Sequence, residues 1–436
     1  MMYKRIDQYG IVGDLHTVAL IALDGSVDWF CYPYIDSPSV FGALLDADQG
    51  GRFRICPADD YDSTSTYWEE TNILITRFRT RQGQARLTDF MPVSFREEQI
   101  QEGEAPTQTL IRCLHVETGS MPVCCEFQPR FDYARAETTL SPTPGGVLAA
   151  CQDWSLALGC TRSLDIRDNK AMAHWDLQAG DRVWFSVGST QSGQCRIEDT
   201  QVLDTQGLNR SLQETAKFWQ TWLHTSETGR GLPWHPYQDM LQRSALVLKL
   251  LYYSPTGTLA AAATTSLPEV IGGQRNWDYR FTWIRDAAFT LKALFSLGHL
   301  SETEGYLRWI ESVLSEHGAR DLQIMYGLRG ETDLREQTLD HLDGYKGSRP
   351  VRIGNGAATQ VQLDIYGEIM DAAMLLADYV GKIDVSLWPV FRDMCNQVVQ
   401  VWPERDNGIW EVRGGRRKFL SSRLMSPKFQ SCAEKT

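Results

Sequence analysis

A carboxylate follows a tryptophan in GIWEVRGG (408–415), where Glu411 stands between Trp410 and a basic, glycine-rich turn. An acid that must give up a proton near neutral pH needs a raised pKa, and partial burial against an aromatic ring disfavours its ionised form. Glu411 is therefore a candidate general acid, with Trp410 as its shield. The densest cluster lies earlier, in GGQRNWDYRFTWIRDAAF (272–289), where two Trp, three Arg and two Asp fall within 12 residues ahead of an apolar helix. Adjacent Arg285 and Asp286 can donate to and accept from neighbouring hydroxyls, while Trp277 or Trp283 supplies an apolar wall, which together make a sugar site. The same residues also admit a structural role, with Asp286 capping the helix and Arg285 pairing with an acid. A third stretch, LDHLDGYKGSRPVRIGNGAATQVQLDIYGE (339–368), is a polar, glycine-punctuated loop entering a helix. Asp364 and Glu368 stand four apart on one helical face, as in a solvated or ion-paired surface. Arg349, Arg352 and Asn355 read as loop anchors or hydroxyl contacts.

The elements that must position these residues change character along the chain. The first half reads as strands: SVDWFCYP (26–33), then TNILITRFRT (71–80) and ARLTDFMPV (85–93) flanking RQGQ as a hairpin. TLIRCLHVET (109–118) and PVCCEFQPRF (122–131) flank a Gly-Ser turn as a second hairpin. Short alternating strands with such turns predict an antiparallel sandwich. From 207 to 223 Leu208, Leu212, Trp219 and Trp222 share a helical face, and TSETGRGLP (225–233) reads as a linker. Helical spacing then recurs near 236–252, 285–298, 302–316, 358–379 and 386–402, with Ser301 and Glu304 forming a capping box. The loops between these helices are long, which in a compact domain signals function.

Composition bounds the function. A chain of 436 residues is long enough for two cores. Its 55 acidic against 43 basic residues, a net charge of −12, argue against a nucleic-acid partner and are compatible with a neutral substrate. No apolar run has the length of a signal peptide or a membrane span. The ten cysteines are scattered without a CxxC, which predicts reduced thiols in a cytoplasmic protein. No zinc, calcium or phosphate motif appears, so neither metal nor cofactor is expected. His341 is the one histidine in a functional neighbourhood, and a structural role suits it better.

Taken in order, YGIVGDLHTVALIALDGSVDWFCYPYIDSPSVFGALLD, AATTSLPEVIGGQRNWDYRFTWIRDAAF, GYKGSRPVRIGN, QLDIYGE and GIWEVRGG resemble glycoside hydrolase family 15, the glucoamylases and their bacterial trehalase-like relatives, from about Tyr9 to about Met425. The resemblance implies a multidomain β-then-α architecture. An N-terminal antiparallel β-sandwich (1–205) and a connecting helix and linker (206–232) would precede an incomplete (α/α)6 barrel (233–436). It implies hydrolysis of α-glucosides or trehalose with inversion, without membrane or nucleic acid. Glu411 would protonate the glycosidic oxygen with Trp410 keeping it protonated, Arg285 and Asp286 would hold the glucose hydroxyls, and Trp283 would line the subsite; Trp277, Arg349 and Trp410 are further substrate-binding candidates by residue type.

Inversion also needs a second carboxylate to activate water, about 6.5–9.5 Å from the first. In the family that base comes from a later loop, which this chain does not reach. SPKFQSCAEKT (426–436) is polar where an apolar helix is expected, so the sequence reads as a shortened or frame-shifted version of a longer gene. A non-catalytic carbohydrate-binding fragment or pseudoenzyme is the alternative.

Overall fold

The structure, a computed structural model, describes residues 3–94, 108–152, 154–189, 203–225, 236–380, 388–411 and 413–425. Most of the expected linker, the start of the 386–402 helix and the polar 426–436 segment lie outside the described residues. The chain divides into two compact units. The first comprises Met1–Leu223 with Ser266–Asn276 and Leu339–Val351; the second comprises His224–Thr265, Trp277–Thr338 and Arg352–Thr436.

The first unit is a large antiparallel sheet. Its main path runs Tyr9–Gly13, Val18–Ala22, Ser26–Cys31, Arg52–Pro57, Thr109–Gln128, Arg182–Gly188, Trp154–Cys160, Gly146–Cys151 and Thr139–Thr143. Leu74–Arg79 and Gly83–Phe90 form the hairpin expected around RQGQ. The second expected hairpin is absent. Thr109–Gln128 is one strand of 20 residues that continues through Gly119–Ser120. Its first half pairs with Gly83–Phe90 and Arg182–Gly188, its second with Arg52–Pro57 and Lys170–Gln178. Gly119 takes φ +69, so the Gly-Ser pair bends the strand where its partners change instead of reversing it. Along the second half Met121, Val123, Cys125 and Phe127 are buried in the core while Cys124 and Glu126 alternate outward.

Helix α1 (Thr205–His224) belongs to this unit. Leu212 and Ala216 pack against Ile73, Phe90, Ile111, Cys113 and Trp184, so the helix expected as a connector is docked on the sheet. His341 has a structural contact here, its Nε2 lying 2.8 Å from the Tyr133 carbonyl oxygen.

The second unit holds α2 (Gln238–Leu250), α3 (Ile284–Ser296), α4 (Ser301–His317), α5 (Ile365–Val380) and α6 (Trp388–Val401). Ile284, Ala287, Ala288, Leu291 and Leu294 are buried at helical spacing, and Ile284, Ala287 and Leu291 join a core shared with α4, α5 and α6. The capping box is not formed. Leu300 occupies the N-cap of α4 without a side-chain cap, and Ser301, already helical, donates to Glu302 Oε2 at 3.3 Å. Helix α5 starts at Ile365, later than 358, because Gly356–Thr359 make a 3-10 turn capped by Asn355 Oδ1 and the next residues bond to a distant segment. No helix among the described residues is long and apolar enough to cross a membrane.

Candidate active site

Two segments of the second unit are zipped together just before α5. Val361 N donates to Asn407 Oδ1 at 3.1 Å, Asn407 N donates to the Val361 carbonyl at 2.8 Å, and Leu363 N donates to Asp406 Oδ2 at 3.1 Å. Asp406 and Arg417 exchange backbone hydrogen bonds of 2.8 and 2.7 Å, closing 406–417 into a loop. Ser422 donates to the buried Asp406 carboxylate at 2.5 Å. The closed loop presents Glu411 near its tip. Glu411 takes φ +47, the left-handed region that a Cβ makes costly and that clusters at functional sites.

Around Glu411 the side chains form a charged lattice. Arg285 Nη1 donates to Glu411 Oε1 at 2.8 Å and to the Ile409 carbonyl, while Nη2 donates to Asp286 Oδ2 at 2.9 Å. Gln362 Nε2 donates to the same Glu411 oxygen at 3.0 Å and to the Gly408 carbonyl at 2.7 Å. Arg285 sits in the first turn of α3, where its neighbour Asp286 also favours the helix dipole without making a cap. The Asp286 side chain is 43% exposed and the Arg285 side chain nearly buried, so a polar ligand can reach the pair from the Asp286 side. Gln362 opens the QLDIYGE stretch that carries part of the family resemblance, but the sequence reading gave it no role.

Asp364 adds a second acid. It is wholly buried, and neither carboxylate oxygen has a hydrogen-bond partner among the described residues. Burial pushes its pKa up to about 6, with the charges of Asp406 and Glu411 acting in the same direction and Arg285 against them. Asp364 is thus no solvated helix face. It lies at the entry of α5 in an enclosed, acidic environment.

The aromatic expectations need correction. Trp410 is 78% exposed and does not enclose Glu411; its ring lies 6.0 Å from the Arg285 guanidinium. The contacts of the Glu411 carboxylate are Arg285 and Gln362 instead. Trp283, 2% exposed, is part of the helical core rather than an open wall. Trp277 is half-buried, but the guanidinium groups of Arg352 and Arg413 lie 4.5 and 4.0 Å from its ring centre. Glu336 holds those two cations, at 3.2 Å from Arg352 and 2.8 Å from Arg413. A sugar stacking on that ring surface must displace them. Arg349 lies in the first unit, paired with Asp343. Asp278 and Arg280 form a buried bidentate pair of 2.9 and 2.7 Å that also takes Gly354 N, so this second Arg–Asp couple is a loop anchor. Among the described residues no group of His, Cys, Asp and Glu is placed to hold a metal ion.

Comparison with known proteins agrees with this arrangement at the level of family. A model of glycosyl hydrolases family 15 matches residues 235–432, and a model of the trehalase-like N-terminal domain matches residues 2–183. Trehalase of Mycolicibacterium smegmatis is 36% identical over 443 residues, covering 97% of this chain and 64% of its own length. Trehalases of Thermoplasma volcanium and Thermoplasma acidophilum are 32% and 34% identical, covering 97% and 93% of this chain and 65% and 67% of their own. The chain therefore spans about two thirds of the length of the curated relatives it matches. With both models matching in order and a 34% identical relative covered over 67% of its length, the chain belongs to glycosyl hydrolases family 15.

Proposed function

We propose that this protein is an exo-acting, inverting hydrolase of α-glucosides, with Glu411 as general acid and trehalose as the substrate to test first. The observation that carries the reading is the pair at the start of α3, where Arg285 stands 2.9 Å from Asp286 and 2.8 Å from Glu411, a contact that Glu411 exchanges for the glycosidic oxygen when substrate binds. A guanidinium and a carboxylate side by side supply directional donors and acceptors for adjacent sugar hydroxyls, next to the acid that must protonate the leaving oxygen. Trehalose comes first because the relatives are named trehalases; maltose, isomaltose and starch test the glucoamylase alternative.

In this mechanism the glucosyl C1–O bond breaks as Glu411 gives its proton to the departing oxygen, and water attacks C1 from the opposite face. The attacking water needs a second carboxylate about 6.5–9.5 Å away. Asp364 is wholly enclosed and does not fit that role. Trp410, exposed beside the acid, offers a face to the leaving group. In the (α/α)6 barrel expected from the resemblance, the base comes from a later loop.

The test is turnover of the purified chain on the four substrates, with the anomer of released glucose followed by NMR and sugar binding by calorimetry. From trehalose, α- and β-glucose released at first in equal amounts support the proposal, because the departing glucose keeps its α configuration, and α-glucose alone overturns inversion. Binding without turnover, reproduced with a full-length relative's C-terminal part supplied, would favour the non-catalytic reading. Asp286→Ala is expected to weaken ground-state and transition-state binding together.

A further inference from the structure

On the outer face of the sheet in the first unit, three side chains form a row across three neighbouring strands. Cys56 lies directly opposite Cys124, and Cys124 directly opposite His174. Cys124 Sγ is 3.2 Å from His174 Nδ1. With that nitrogen unprotonated, the thiol donates to it. His174 is exposed, Cys124 partly so, and Cys56 only 4%. The next row is ionic, with Glu126 held by Arg52 at 3.2 Å and by Lys170 at 3.3 Å. These two thiols therefore do not serve as core filler, unlike Cys125 and Cys160 on the inner face. Both are free.

Facing residues of an antiparallel pair have Cβ atoms about 4.5–5.5 Å apart. A disulfide needs about 3.5–4.5 Å between Cβ atoms, and its range of Cα separations covers both kinds of facing pair. The strands need approach only slightly. Burial pushes the Cys56 thiol up to about 11 and raises Cys124 as well, so a base in contact is required before the first of them can attack the peroxide. Only Cys124 has an imidazole beside it in this row.

We propose that Cys124 and Cys56 are an oxidisable dithiol, in which a hydroperoxide reacts at Cys124 with His174 as base and Cys56 resolves the product as a cross-strand disulfide. The Cys124 sulfur attacks one peroxide oxygen as its proton passes to His174 Nδ1. The O–O bond breaks, giving the sulfenic acid, and the leaving hydroxide takes the imidazolium proton as water. The Cys56 sulfur then attacks the Cys124 sulfur as the Cys56 proton passes to the sulfenic oxygen; an S–S bond forms, the S–O bond breaks, and that oxygen leaves as a second water. Two thiols lose two electrons in total, and the peroxide gains them. This site stands apart from the proposed hydrolysis and does not depend on it.

The test exposes the folded 436-residue chain to a small excess of hydrogen peroxide, blocks the remaining thiols and maps the peptides by mass spectrometry. A reducible Cys56–Cys124 cross-link ahead of oxidation elsewhere is expected. In Cys56→Ser the intermediate has no resolving thiol, so a sulfenic-acid reagent is expected to label Cys124. His174→Gln, which cannot take the proton, is expected to slow the reaction by about tenfold. Oxidation first at Cys395 or another thiol in the unsubstituted chain overturns the proposal without recourse to any variant. So does an unchanged rate in a folded His174→Gln protein. A cross-link formed equally fast in urea would show that the folded row plays no part.

Discussion

Two buried acids of the helical unit stand at the entrances of two helices and are treated in opposite ways. Glu302 opens α4 and meets Lys249 Nζ at 2.9 Å, with both side chains almost wholly buried. Burial alone would push the Glu302 carboxyl up, but the ammonium outweighs it and holds the group at about 2. Asp364 precedes α5, is equally enclosed and lacks any such partner; burial drives it to about 6. Arg285, whose charge acts against that rise, is already bonded to Glu411 and Asp286. A buried acid with its own cation belongs to the scaffold. A buried acid left without one, beside an acid at positive φ, marks where the fold tolerates unfavourable energy for another purpose.

The largest expected effect separates these roles by activity. Where turnover is measurable, Glu411→Gln keeps the shape and removes the transferable proton, so turnover is expected to fall about 10²–10⁴-fold with sugar binding retained. Near-normal turnover on an unactivated glucoside would remove Glu411 from the role. Lys249→Met should do the reverse. It strands Glu302 and is expected to cost about 3–5 kcal/mol of stability, while activity per folded molecule stays the same. Adding Glu302→Leu should recover most of that loss. If chemical denaturation shows the single and double variants equally unstable, the pair acts through packing and not through charge.

How much of this was legible in the sequence follows from how local each signal is. The apolar spacing of α3 and the hairpin around RQGQ are properties of consecutive residues, and both appear where expected. The strand Thr109–Gln128 was read as two because Gly119–Ser120 looks like a turn in isolation; only its four partner strands make it continuous. Arg285, Asp286 and Glu411 were singled out by residue type, but their mutual contact spans some 126 positions of chain. Distance in sequence also kept the role of Gln362 from view, since it stands 49 positions from Glu411. It also hid the two arginines over Trp277 and the outward turn of Trp410, which depend on backbone angles and long-range pairing.

The third effect is a pH signature. The folded pKa of Asp364 lies above its ordinary value of 3.8, at about 6, so the folded protein holds this proton more tightly than the unfolded chain. Its contribution to stability is complete below about pH 4 and is lost as pH rises through about 6. The shift of roughly two units corresponds to about 3 kcal/mol. Asp364→Asn is expected to remove this dependence, so its stability relative to the unsubstituted chain should rise between pH 4 and pH 7. Glu302 works in the other window. Its pKa is lowered from 4.5 to about 2, so its contribution is present above pH 4.5 and disappears as pH falls towards 2. A stability difference for Asp364→Asn that is flat from pH 4 to pH 7 would show that Asp364 is solvated after all.

The smallest effect tests the backbone at Glu411 and needs no activity. Both Glu411→Ala and Glu411→Gly remove the carboxylate and strand Arg285 to the same degree, so the comparison between them isolates φ +47. At an ordinary position alanine is the more stable of the two by about 0.5–1 kcal/mol, because glycine loses more conformational freedom on folding. In the left-handed region a Cβ approaches the following carbonyl oxygen at a cost of about 1–2 kcal/mol, which glycine avoids. The two terms oppose each other, and the steric one is larger. Glu411→Gly should therefore match or exceed Glu411→Ala in denaturant midpoint, by up to about 1 kcal/mol. The control is an exposed helical site such as Arg308 on α4, where the usual order should hold. If alanine is the more stable residue at both positions, Glu411 does not carry a strained backbone. The contrast with Glu302, which sits in relaxed helical geometry, would then rest on charge alone.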